Sequence, residues 1–127
     1  MSETSTLTIQ VSGLRNANGN LCVALFNSPD GYPSNITEAI RLSSVLIETT
    51  PQVILFEELA YGTYAIVAFH DENGDSKLNT NFLGIPKEGI GFSGDPKIWR
   101  GVPAYEKVKF EFTPEEKTIG ITMKYLL

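Results

Sequence analysis

The stretch Tyr61-Gly62-Thr63-Tyr64-Ala65-Ile66-Val67-Ala68-Phe69-His70-Asp71-Glu72-Asn73-Gly74-Asp75 decides how the chain folds. Residues 63–69 are apolar on both faces of an extended backbone. Such a segment suits a central strand, covered above and below. Gly62 can carry the backbone around a corner. Tyr64 stands two residues later, placed for its hydroxyl to close back onto that corner, as a tyrosine does in immunoglobulin-type sandwiches. At the far end the pattern turns abruptly polar, so the strand delivers His70 and Asp71 to the end of a sheet.

Upstream, residues 6–12 alternate. Leu7, Ile9 and Val11 face one way, and Thr6, Thr8, Gln10 and Ser12 the other, which predicts a half-buried strand. Asn18-Gly19 carries a hairpin signal, because both residues tolerate positive φ. Leu21 to Asn27 is again apolar on both faces and reads as an interior strand. Ser28-Pro29-Asp30-Gly31-Tyr32-Pro33 is turn chemistry. A short helix fits residues 34–42, with Ile36 and Ile40 on one face. Residues 44–49 and 52–58 are two further strands, broken at Pro51.

Downstream, residues 71–103 show little regular periodicity and many glycines and prolines. Connections in compact domains run to about 4–6 residues, so a segment of this length is functional or disordered. Phe82, Leu83, Ile85, Ile90, Phe92, Ile98 and Trp99 give it too much apolar content for disorder. The expectation is an ordered loop folded back on the sheets. The chain closes with a predicted hairpin. In one arm Val108, Phe110 and Phe112 alternate with charged residues. In the other Ile119, Ile121, Met123 and Tyr125 share a face, and residues 113–117 make the turn. The pattern is all-β: a two-sheet immunoglobulin-like or prealbumin-like β-sandwich of about seven strands, with one long ordered loop (71–103) and at most one short helix. It is read as one domain over residues 1–127, with a closed barrel as the alternative.

Composition narrows the function classes. The 127 residues suffice to bury a core without crosslinks. The net charge of -5 and the absence of a Lys/Arg cluster argue against nucleic acid and anionic membrane surfaces. No run is long enough for a membrane helix, so no membrane insertion is expected. Cys22 is the only cysteine. Internal disulfides and thiolate metal sites are therefore excluded, and its apolar setting reads as core. Asn35-Ile36-Thr37 forms a glycosylation sequon, but with no basic-then-apolar leader before it, a capped helix start is the better reading.

The polar loop carries the chemistry. Oxygen-bearing side chains recur at alternate positions: Asp71, Asn73 and Asp75, then Asn79, with the Lys77 carbonyl at the seventh place. These are the first nine positions of a calcium loop of the EF-hand type. Ser76 stands where the sharp turn wants Gly, and Phe82 where a bidentate carboxylate belongs. Glu88 is the candidate to return and supply that carboxylate, with Glu72 as the alternative. The competing reading is a polar turn in which Asp and Asn bond their own backbone. His70 beside Asp71 suggests a catalytic dyad, but strand neighbours point to opposite faces. Gly91-Phe92-Ser93-Gly94 lacks nucleophile-elbow spacing and follows no predicted strand. Glu88 with Asp71 or Asp75 would make a carboxylate pair for glycoside chemistry if their separation suited it. Phe82, Phe92 and Trp99 offer stacking surfaces for a carbohydrate or protein ligand, or anchor the loop.

The strings Gly13-Leu14-Arg15-Asn16 with Gly19, Val23-Ala24-Leu25-Phe26-Asn27, Gly62-Thr63-Tyr64-Ala65, His70-Asp71-Glu72-Asn73-Gly74, and Leu83-Gly84-Ile85-Pro86-Lys87-Glu88-Gly89 with Gly91-Phe92-Ser93 resemble the bacterial DUF2141 family of unknown function. The resemblance covers nearly the whole chain. It implies a transthyretin- or carboxypeptidase-regulatory-like sandwich and no enzymatic activity. It also implies the cell envelope or exterior, since members often carry an export signal; the start of this sequence departs by lacking one. The reading is a non-enzymatic module with a Ca2+ loop at 71–79, serving in binding or adhesion. The alternatives are a hydrolase using His70 with Asp71 or Glu88, and a structural domain without a ligand.

Overall fold

The computed structural model describes residues 3–14, 17, 19–32, 36–48, 51–71, 89–94, 103–115 and 117–125. In chain order the elements are β1 (Thr4–Ser12), β2 (Asn20–Phe26), a 3-10 turn (Ile36–Glu38), β3 (Arg41–Leu46), β4 (Gln52–Ala60), β5 (Gly62–Asp71), β6 (Ile90–Phe92), α1 (Tyr105–Val108), β7 (Phe110–Phe112) and β8 (Thr118–Thr122). They form two sheets. One has the order β4-β1-β8; the other has the order β3-β2-β5-β6, with β7 also pairing β5. The described residues form an all-β sandwich of eight strands with almost no helix.

Inward side chains from both sheets meet in one core: Leu7, Ile9 and Val11 of β1, Val23 and Leu25 of β2, Ile54 and Phe56 of β4, Ile66 and Ala68 of β5, Phe112 and Ile121. Alternation along each strand makes this possible, since every second side chain points between the sheets. The five-stranded sheet also buries its outer face. Ala24, Phe26, Ala65, Val67, Ile90 and Phe92 lie under Tyr32, Ala39, Tyr105 and Val108. That second core is why β2 and β5 read as apolar on both sides.

The corner between β4 and β5 is built as expected. The Tyr64 hydroxyl donates to the Ala60 carbonyl at 2.6 Å. Just before it β4 bulges, its register with β1 slipping between Ser5 and Leu7. Glu58 there adopts φ 53, a conformation that costs a residue with a Cβ roughly 1–2 kcal/mol. Arg41 straps the bulge, donating to the carbonyls of Glu57 at 2.9 Å and Glu58 at 3.0 Å. Its planar fork matches two adjacent acceptors, which an ammonium does not.

Three expectations are corrected. Neither Asn18-Gly19 nor residues 113–117 make a hairpin: β1 and β2 lie in different sheets, as do β7 and β8. β8 instead pairs β1 in parallel, from Thr8 opposite Thr118 to Ser12 opposite Thr122. Second, of the helix expected over 34–42 the described residues form only the 3-10 turn, because Arg41 and Leu42 already belong to β3; a four-residue helix, Tyr105–Val108, forms where the last hairpin was expected to begin. Third, Ile90–Phe92 is a strand inside the segment read as loop, and both Ile90 and Phe92 are buried.

Candidate functional site

The site begins where β5 ends. Alternation puts Tyr64, Ile66 and Ala68 in the inter-sheet core and Ala65 and Val67 in the outer one. Continuing it sends His70 inward, opposite Leu21, and Asp71 outward, opposite Asn20. Both side chains are 0% exposed. The two residues therefore diverge, and no His70–Asp71 dyad is built.

His70 is held on two sides. Its backbone N–H donates to the Gly89 carbonyl at 2.9 Å. Its Nδ1 lies 2.9 Å from the Tyr125 hydroxyl, with the two rings edge to face at 6.0 Å. Tyr125 also closes over Gly89: a Cβ at that glycine would meet Tyr125 Cε2 at 2.5 Å. The next residue continues the seam. Ile90 and Lys124 exchange backbone hydrogen bonds of 3.0 and 2.8 Å, joining the two sheets. Gly91 follows, packed so closely that a Cβ would meet Ile121 Cγ2 at 2.6 Å. Segments 70–71 and 89–91 are thus pinned to each other and to the end of the chain. They are the two ends of the predicted ligand loop.

Of the residues assigned to that loop, Asp71 is placed at the tip of β5. Asn73, Asp75, Lys77, Asn79 and Glu88 lie outside the described residues, as do Phe82 and Trp99. Among the described residues no three His, Cys, Asp or Glu side chains converge on a metal-sized site. Phe92 is core, 2% exposed, and offers no stacking surface. Cys22 is buried and its thiol donates to Ser44 Oγ at 3.5 Å. Ser93 has a structural partner set: its hydroxyl donates to the Val108 carbonyl at 2.6 Å and accepts from the Ile66 N–H at 3.0 Å. Sequence reading missed the roles of Tyr125 and Gly89. The alternation that put Ile121, Met123 and Tyr125 on one face did point Tyr125 inward, toward its partner.

Residues 9–120 match the family described as "Uncharacterized protein conserved in bacteria (DUF2141)". The chain belongs to this family. The span shared with DUF2141 runs from the middle of β1 into β8, so both sheets and both ends of the loop fall within it, and Tyr125 lies beyond it. Comparison with curated proteins and with solved structures returned no match. No helix among the described residues is long and apolar enough to cross a membrane.

Proposed function

We propose that this chain is a non-enzymatic binding or adhesion module whose loop after β5 takes up a calcium ion. The observation that carries the reading is the position of Asp71. It is the first residue of the alternating oxygen series, and it sits buried at the rigid tip of a central strand. A first ligand held by a sheet reduces the ordering cost of binding. From spacing, Asn73, Asp75 and Asn79 serve as side-chain ligands, Lys77 through its carbonyl, and Glu88 as the closing carboxylate. Two charged ligands in the core of the motif set a modest affinity, in the range of about 10⁻⁴–10⁻³ M known for extracellular modules. Hydrolysis is disfavoured, because His70 is enclosed and turned away from Asp71.

The test is calorimetric titration of chelator-stripped protein with CaCl2, alongside thermal melting. Binding raises Tm, and at a hundredfold excess over Kd the gain is about 2.7 kcal/mol. Asp75→Ala removes both heat and Tm response. Absence of both responses in the parent chain at about 10 mM calcium, well above the expected Kd, refutes the reading.

A further inference from the structure

Five large apolar side chains stand exposed among the described residues, and all fall between positions 40 and 55: Ile40, Leu42, Leu46, Val53 and Leu55. They sit on or beside β3 and β4, the strands at one end of each sheet. Leu46 is the most exposed, at 68%, and Leu42 follows close behind Leu55 at 50%. An edge strand presents unpaired backbone groups, and proteins guard such edges with charges, prolines or bulges. From Leu42 to Leu46, β3 has none of these. It holds no charge and no proline, and its register with β2 is unbroken.

The chemistry of the row selects the occupant. A segment wedged between the sheets is opposed at one end by Arg41, whose guanidinium already spans from β3 to the carbonyls of Glu57 and Glu58. Among the described residues no strand pairs with the outer edge of β3. That edge is self-complementary. A two-fold axis perpendicular to the sheet pairs residues of the same face, and so pairs positions whose numbers sum to an even total. With the axis at Ser44, each exposed Leu42 lies opposite the other copy's Leu46. Ser44 meets Ser44, and Ser43 meets Val45. Both leucines find apolar partners twice over, and no charge enters the paired stretch. A foreign strand would have to supply this pattern; a second copy already carries it.

We infer that β3 is a homodimerisation strand, joining two copies of the chain edge to edge and antiparallel about Ser44, independently of any metal. The five-stranded sheet then continues across the dimer. Each copy carries a net charge of -5, so like-charge repulsion opposes assembly and added salt strengthens it. A basic partner steered to the same edge would respond to salt in the opposite sense.

Sedimentation velocity of the full chain tests this, from about 10 µM to about 1 mM, the span of weak specific contacts. The expected mass rises from 14.0 kDa toward twice that value, more steeply at higher salt. Leu42→Lys and Leu46→Lys each weaken dimerisation by about tenfold or more, since one change removes two symmetric cross-strand contacts. Both side chains are exposed, so circular dichroism and Tm stay as in the parent. Mixing L42K with L46E restores a dimer in which the substituted positions face each other. The inference is overturned by a parent chain monomeric throughout, or by a dimer unaffected by both lysine substitutions. Rescue of L42K by L42E in place of L46E overturns the register at Ser44.

Discussion

Ser93 sits where the edge of β5 changes partner. β7 pairs residues 62–64 and β6 pairs residues 67–69, leaving a gap between them. Ser93 fills that gap. Its N–H donates to the Ile66 carbonyl at 3.0 Å, its hydroxyl accepts from the Ile66 N–H, and the same hydroxyl donates to the Val108 carbonyl. One side chain thus stands in for a missing strand residue in a site with no solvent exposure. Ser93→Ala removes a partner from a buried donor and a buried acceptor at once, each worth about 1–3 kcal/mol when left unsatisfied. Urea unfolding of that variant is expected to show a loss of this size without a change in m-value. A variant as stable as the parent would show that Ser93 does not bridge the strands. Neither partner is near in sequence: Ile66 lies 27 residues away and Val108 lies 15. That is why Gly91-Phe92-Ser93-Gly94 could be excluded as a nucleophile elbow from its spacing but not recognised as a splice.

At the scale of elements, the tail after β8 acts as a clamp on the segments that open and close the ligand loop. Tyr125 binds His70 through its hydroxyl and covers Gly89 with its ring. Tyr125→Phe loses the hydroxyl contact, at about 0.5–1.5 kcal/mol, and speeds exchange of the His70 amide. Gly89→Ala has to displace the same ring, so it breaks the same contact. The two changes combined are therefore expected to cost less than their sum in urea unfolding. Strict additivity would separate Gly89 from the clamp. The clamp also marks a limit of sequence reading. Alternation in Phe110–Phe112 and Ile119–Met123 correctly predicts two strands and their buried faces. It does not say whether neighbours in sequence pair side by side or face each other across a core, because the buried face looks the same either way. Here they cross, and so do β1 and β2. By contrast, the apolar runs of β2 and β5 did reveal central strands, and the Tyr64 corner was legible, since both depend on local pattern.

For the whole molecule, the outer cover of the five-stranded sheet ties stability to alkaline pH. Tyr32 packs against Phe26, Phe92 and Tyr105, with centroids 5.8 to 6.1 Å apart, and its hydroxyl donates to the Pro103 carbonyl at 2.8 Å. Burial pushes the Tyr32 hydroxyl far above the usual tyrosine range. Burial also raises Tyr64, opposed by the nearby Arg41 charge, and raises Tyr105, opposed by Lys109. In the unfolded chain these phenols ionise near their ordinary value of 10.0, while in the folded chain they keep their protons to higher pH. The folded state therefore binds more protons above that pH. The stability these groups contribute is complete below pH 10 and is lost as pH rises toward their folded values. Each tyrosine that stays protonated only when folded removes up to about 1.4 kcal/mol per pH unit. Urea unfolding measured from about pH 8 to pH 11 should be level at first and then fall steeply, given ordinary tyrosine ionisation near 10. Tyr32→Phe lowers the plateau by removing the Pro103 contact, yet it makes the fall shallower by one proton. A slope above pH 10 unchanged by that substitution would mean that Tyr32 is open to ionisation in the folded state, and that the second core does not seal the outer face of the sheet.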